Sequence, residues 1–230
     1  MPRYRLEYAK NGTARFLSHR ELMTSLQRAL RRASFPLSYS KGYNPRPKLS
    51  FGPPLGVGVA GLREYMDLEL TEGINVEDYL NCLNCLLLPG IRANSLTTVS
   101  SGDVGLGKLI NCGHYLINIA EGHDADWEQL FYSGEREETW CYERPGDGKV
   151  YNVSEAIIKS DIYHEGEGLI LSVLLKVGNG EVPLRVLLGF LEDKQGAELL
   201  PSMVTRTGLY QLDKGCLFDP LGKQKNLIEG

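Results

Sequence analysis

No stretch of this chain stays apolar for the roughly twenty residues that a bilayer demands, so no membrane-spanning helix is expected. Cysteine is sparse: there are five, an odd number in a chain of 230 residues, which does not build a disulfide framework. Cys82 and Cys85 form a CxxC, but no second CxxC exists and Cys112, Cys141 and Cys216 are scattered, so a tetrahedral zinc site lacks its ligands. The i, i+3 spacing of Cys82 and Cys85 leads us to expect core positions on a helix. Histidine is rarer still, at four residues, and neither His114 nor His123-Asp124 falls into a metal-binding spacing. There is no Gly-x-Ser-x-Gly elbow, no phosphate-binding lysine loop and no His-Glu-x-x-His, so the familiar hydrolase, nucleotidase and zinc-protease signatures are all missing. No metal and no cofactor are expected. The first residues, Met1-Pro2-Arg3-Tyr4-Arg5, lead into an alternating segment and not into an apolar targeting region, which makes the cytoplasm the expected location.

What is present is an uneven distribution of charge. Residues 1–50 hold eleven Lys and Arg against Glu7 and Glu21, a net of +9, while the other 180 residues carry −13 within an overall −4. Such polarity suits a polyanion site on the basic part. The competing reading is that the basic part docks on the acidic remainder of the same chain.

The hydrophobic pattern predicts an α+β fold. Tyr4, Leu6 and Tyr8 alternate with Arg5 and Glu7, a half-buried strand. Ser18-His19-Arg20-Glu21 reads as a capping box that opens a helix, Leu22, Leu26 and Leu30 keep helical spacing, and Pro36 stops it. A short strand over residues 37–40, a Pro/Gly-rich stretch over 41–61, a strand at 66–70, a helix at 76–88 and a strand at 91–99 complete a ferredoxin-like βαββαβ half over residues 1–100. After a Gly/Ser-rich joint the order partly recurs over 108–218: strand 115–120, helix 124–133, strand 140–144, strands 153–163 and 169–177, a helix from Pro183 and a strand at 203–212. This second related α+β half suggests a duplicated unit. Residues 219–230 read as a mobile tail.

Three motifs carry chemistry. The first is the basic helix: Arg20, Gln27 and Arg31 share a face with Arg28 and Arg32 beside it, a row able to track phosphates together with Arg15. Arg31 and Arg32 also complement the negative end of the helix dipole. The second is Tyr39-Ser40-Lys41-Gly42-Tyr43-Asn44-Pro45-Arg46-Pro47-Lys48, where Tyr39 and Tyr43 could stack on unpaired bases while Lys41, Arg46 and Lys48 meet the backbone. The alternative is a loop across the sheet with the tyrosines as lids on the core. The third is His19, in the first helical turn, which is a candidate general base on a ribose 2′-hydroxyl and otherwise a structural histidine. Gly56-Val57-Gly58-Val59-Ala60-Gly61 matches a dinucleotide pattern but follows Pro53-Pro54 and precedes a strand, so we read its glycines as freeing the backbone to turn or a ligand to approach.

The segment from Arg15-Phe16-Leu17-Ser18-His19 to Arg31-Arg32-Ala33, and that from Pro36 through Tyr43-Asn44-Pro45-Arg46-Pro47 to Phe51-Gly52, with Gly56-Val57-Gly58-Val59 and Glu64-Tyr65-Met66-Asp67 behind them, resemble the radical SAM-linked protein family. The likeness covers about residues 3–100. It implies a working partnership with a radical SAM enzyme of the cobalamin-binding type and no assigned activity. This chain lacks the CxxxCxxC of such an enzyme, so the cluster chemistry would lie in the partner. At the level of fold the chain is also similar to the ferredoxin-like RNA-binding proteins of CRISPR systems, a likeness that carries no function by itself. The expectation is therefore a non-catalytic accessory of a radical SAM enzyme that binds tRNA or rRNA. A metal-independent endoribonuclease using His19 and a module that docks an acidic partner surface are the alternatives.

Overall fold

The computed structural model describes residues 1–100, 102–119, 140–165, 168–178, 180–196 and 198–225. The helix expected at 124–133 lies outside them, as do residues 226–230 of the expected tail.

Residues 1–100 form β1 (Arg3–Lys10), α1 (His19–Arg32), β2 (Leu49–Phe51), β3 (Ala60–Glu69), α2 (Val76–Asn84) and β4 (Ile91–Val99). β1 lies antiparallel between β3 and β4, and β2 pairs antiparallel with the far edge of β3. The order β4-β1-β3-β2 is that of a ferredoxin-like sheet, as the sequence pattern implies. The short strand falls at 49–51 and not at 37–40, where Leu37 makes only an isolated bridge to Leu70. Leu49 and Phe51 offer apolar side chains to the core, whereas Tyr39 turns back onto Pro47.

α1 forms where its ends are satisfied and one stripe is apolar. Ser18 Oγ accepts from the Glu21 amide, and the Glu21 carboxylate accepts from the Ser18 amide at 2.8 Å, closing the capping box. Leu22, Leu26, Ala29 and Leu30 are buried against Tyr4, Leu6 and Tyr8 of β1 and against Met66 and Leu68 of β3. Each buried leucine contributes roughly 1.5–3 kcal/mol. The stop comes before Pro36. Ser34 takes a left-handed φ of 58°, and the Phe35 amide donates back to Leu30 O at 3.1 Å, burying the Phe35 ring.

The second unit contains β5 (Cys112–Ile119), a small hairpin of β6 (Cys141–Glu143) and β7 (Val150–Asn152), β8 (Ile157–Glu165), β9 (Gly168–Lys176), a helix and β10 (Val204–Asp213). A single turn, α3 (Leu106–Leu109), precedes β5, and the helix before β10 is α4 (Leu184–Gln195). The order β10-β5-β9-β8 repeats the arrangement of the first unit. Pro183 is the N-cap of α4, and its helical side packs Val186, Leu187, Phe190 and Leu191 against Ile117, Leu171 and Val173.

The two units share one sheet. Thr205 and Arg206 of β10 pair in parallel with Ala60 and Gly61 of β3. The sheet face opposite α1 and α2 is covered by the joint and by the C-terminal end: Leu106, Ile110 and Leu221 pack on Tyr65 and Leu209. Residues 219–225, expected as part of a tail, are folded down. Asp219 and Pro220 are buried, β11 (Cys216–Phe218) pairs with β10, and β12 (Gln224–Lys225) pairs with β11. Asp219 accepts from the amides of Leu221 and Lys223, a local motif that fixes the chain.

Replacing Ser34 with Gly is expected to raise stability by about 1 kcal/mol, because glycine carries no cost in the left-handed region. Urea unfolding of the two proteins measures it, and an unchanged midpoint would show that the Ser34 side chain compensates.

Candidate nucleic-acid interface

The eleven N-terminal cations fall into two groups. Four are structural. Arg3 donates to the carbonyls of Ser100 and Asp103, tying β1 to the joint. Arg5, 2% exposed, makes a two-point pair with Asp67 at 2.7 and 2.9 Å and also donates to Pro220 O. Lys10 is fully buried and donates to Leu17 O at 2.7 Å. Burial lowers its pKa, with Glu64 opposing. Arg15 donates to the carbonyls of Gly58, Ser202 and Val204, holding the glycine-rich loop against the second unit. Arg15 thus gives its Nε and one terminal nitrogen to backbone carbonyls, apart from the arginines that stand free on α1.

That loop is a joint between the units. Leu55 and Val59 enter the core of the second unit, Gly58 has a φ of 88° beside Pro201, and the Gly58 amide donates to Arg15 O. At Gly61 a Cβ would sit 2.7 Å from Glu64 Oε1, so only glycine lets the strand pass. Glu64 itself meets Arg206 in a two-point pair that is 3% and 1% exposed, with Nε to Oε1 at 2.8 Å. Arg206 also donates to Pro53 O and to the Tyr115 hydroxyl. Burial, with Glu64 adding, raises the pKa of the neighbouring Tyr8 phenol.

The other cations face outward. Arg20, Arg28, Arg31 and Arg32 are exposed on α1, and among the described residues no carboxylate pairs with any of them. Arg20, Thr24, Arg28 and Arg32, at steps of four, line one side of a groove of about 490 Å³ together with Leu17, Glu21, Ser25, Ala29, Leu86 and Leu88. Arg20 thus groups with Arg28 and Arg32. Arg31 turns to the opposite flank, where its guanidinium lies over the Tyr39 ring at 5.8 Å. Glu21 is the groove's acid, but its carboxylate is committed to Ser18, which lowers its pKa.

The groove exists because α2 is shorter than its sequence pattern. We expected a helix to residue 88, but it ends at Asn84, whose carboxamide pairs with both the N–H and C=O of Ala93 on β4 at 2.9 and 3.0 Å. Residues 85–88 then turn across toward α1. Cys82 and Cys85 are exposed and not in the core, because α2 presents Leu83 inward.

Tyr39 to Lys48 form an exposed hairpin. Ser40 N donates to Arg46 O, Lys48 N donates to Ser38 O, and the Ser40 hydroxyl accepts from the Arg46 amide. Tyr43 is fully exposed and Tyr39 is 42% exposed, so neither is a lid on the core. Lys41 and Arg46 face solvent, and Lys48 pairs with Glu69 at the surface.

His19 packs edge-on to Phe51 at 5.7 Å and has no hydrogen-bond partner among the described residues. Burial lowers its pKa, and Lys10 and Arg206 add to that while Glu64 opposes it. His114 is held on both sides of its ring: Nδ1 lies 2.6 Å from Thr207 Oγ1 and Nε2 2.7 Å from Ser172 Oγ. The three residues stand on three different strands, so no spacing in the sequence could have shown the cluster. Among the described residues no three potential metal ligands converge, and no helix is long and apolar enough to cross a membrane.

The fold defines a class: an α+β protein of two units on one sheet, the first ferredoxin-like and carrying a cationic helix on its outside. Residues 3–183 match the family described as an uncharacterized protein conserved in bacteria, DUF2344, and the chain belongs to that family. No curated protein matches the chain. It is similar to a solved structure, the crystal structure of an unknown protein from Galdieria sulphuraria, at 10% identity over 90% of this chain and 98% of that one; the TM-score of 0.26 carries no argument.

Replacing Arg206 with Met is expected to cost about 3–5 kcal/mol, since it leaves Glu64 charged and unpaired in the core. Adding Glu64→Gln should recover part of the loss. Denaturant unfolding of both variants checks this, and equal stability of the two would show the pair to be uncoupled.

Proposed function

We propose that the chain binds RNA through the outer face of α1 and the hairpin at 39–48, as a non-catalytic accessory of a radical SAM enzyme. The observation that carries the RNA part is the set of unpaired arginines on α1, Arg20, Arg28 and Arg32 along one flank and Arg31 with Tyr39 on the other. An exposed guanidinium offers a planar fork that fits phosphate oxygens, and neutralising phosphates releases counterions. Lys41 and Arg46 extend the same positive surface, and Tyr43 offers a ring to an unpaired base. The radical SAM partner rests on the sequence resemblance alone.

The endoribonuclease reading has less behind it. His19 is held neutral by its surroundings, as a base would be, but Glu64 is engaged by Arg206 and Lys10 by Leu17 O, so no partner acid stands beside it.

The test is retention of total cellular RNA by the purified protein at two salt concentrations, followed by sequencing of the bound fraction. Replacing Arg28, Arg31 and Arg32 with Ala should weaken binding to every retained sequence and lower the salt slope by about two. Unchanged affinity would remove these residues from the interface. Absence of retention at low salt, together with a stable protein partner recovered from nuclease-treated lysate, would replace the RNA reading with a docking module.

A further inference from the structure

The groove beside α1 has a composition that phosphate binding alone does not explain. Its α1 wall repeats Arg20, Thr24, Arg28 and Arg32 every four residues, placing successive side chains about 6 Å apart along the helix. Its floor is apolar: Leu17, Ala29, Leu86 and Leu88, with Leu88 left 47% exposed. An A-form duplex, with its bases stacked inside and only backbone and shallow edges on offer, would use the cations and leave the leucines wet. The volume of about 490 Å³ lies in the range of sites for single ligand-sized groups, about 300–1,000 Å³.

We infer that this groove holds one unpaired nucleotide of the bound RNA, its base on Leu86 and Leu88 and its flanking phosphates on Arg20, Arg28 and Arg32. The inference rests on the RNA-binding reading and deepens it by naming single-stranded RNA as the substrate class. A flat base covers the leucine floor while the three arginine forks meet the phosphates on either side of it. Ser25 and Thr24 line the same wall with hydroxyl oxygens that can accept from a base edge or a ribose hydroxyl. Thr24 already donates its own proton to Arg20 O at 2.8 Å, which leaves its oxygen as an acceptor. An acidic peptide would satisfy the arginines but brings no flat apolar face for the floor.

The experiment compares binding of a short oligoadenylate, an abasic RNA of equal length, and the duplex form, by fluorescence anisotropy at fixed salt. The single strand is expected to bind about tenfold or more tightly than the abasic backbone and the duplex. Leu88→Asp, at a half-exposed position, should reduce the single strand to the abasic level. Arg28→Ala with Arg32→Ala should weaken all three. Equal binding of oligoadenylate and abasic RNA overturns the inference while leaving RNA binding intact, and so does a Leu88→Asp protein that keeps the preference. Competition by oligoglutamate as effective as that by oligoadenylate assigns the groove to an acidic peptide and overturns it too. No binding of any of the three RNAs removes the RNA reading itself.

Discussion

The Arg206–Glu64 pair is the contact on which the joining of the two units depends. β3 and β10 pair in parallel over only two register positions, Thr205 with Ala60 and Arg206 with Gly61, and so short a ladder is weak by itself. Arg206 crosses that seam to Glu64 in a site almost without solvent, and its remaining donors reach Pro53 O and Tyr115. Burying two charges costs several kcal/mol per ion unless geometry and further hydrogen bonds offset it. Here the two-point geometry and the added acceptors do so, which makes the pair a device for specifying which edges meet. Arg15 repeats the logic from the other side by binding the carbonyls of Gly58, Ser202 and Val204 together.

This arrangement explains why the N-terminal charge excess overstates the surface. Arg5 holds β1 to the C-terminal end, Arg15 holds the glycine-rich loop to the second unit, Lys10 ties β1 to the loop at Leu17, and Arg3 holds the joint. The basic excess is therefore divided between two uses. A third of the cations bind their own chain, through backbone carbonyls as much as through acids, and the remainder stand outward on α1 and the hairpin.

Local patterns were the legible part of the sequence. The capping box at Ser18, the α1 stripe, the alternation of Tyr4, Leu6 and Tyr8, and the βαββαβ order of residues 1–100 all follow from contacts within a few residues or from period. What was not legible depends on distant partners. Nothing near Asn84 announces that its carboxamide will pair with Ala93 and end α2 early, and the apolar run to Leu88 argued for a longer helix. Nothing in Pro220 announces a meeting with Arg5 more than two hundred residues away. The same holds for the candidate site. The α1 arginines could be read from the sequence, but which of them share a flank, and that leucines from the turn after α2 lie beneath them, required the fold.

α1 then does two things with one periodicity. Its inward stripe at 22, 26, 29 and 30 fixes it on the sheet, and the ridge at 20, 24, 28 and 32, one step round the helix, is free to be polar. That ridge would be an ordinary solvated face if α2 continued beside it, because ordinary helix packing would fill the space. Ending α2 at Asn84 brings Leu86 and Leu88 up against the arginine row and produces a cleft with charge on one wall and apolar surface at the base. A cationic row alone selects for charge. On the RNA reading we propose, a cationic row over leucines adds a demand for something flat and apolar that carries the charge, which a merely basic helix does not make.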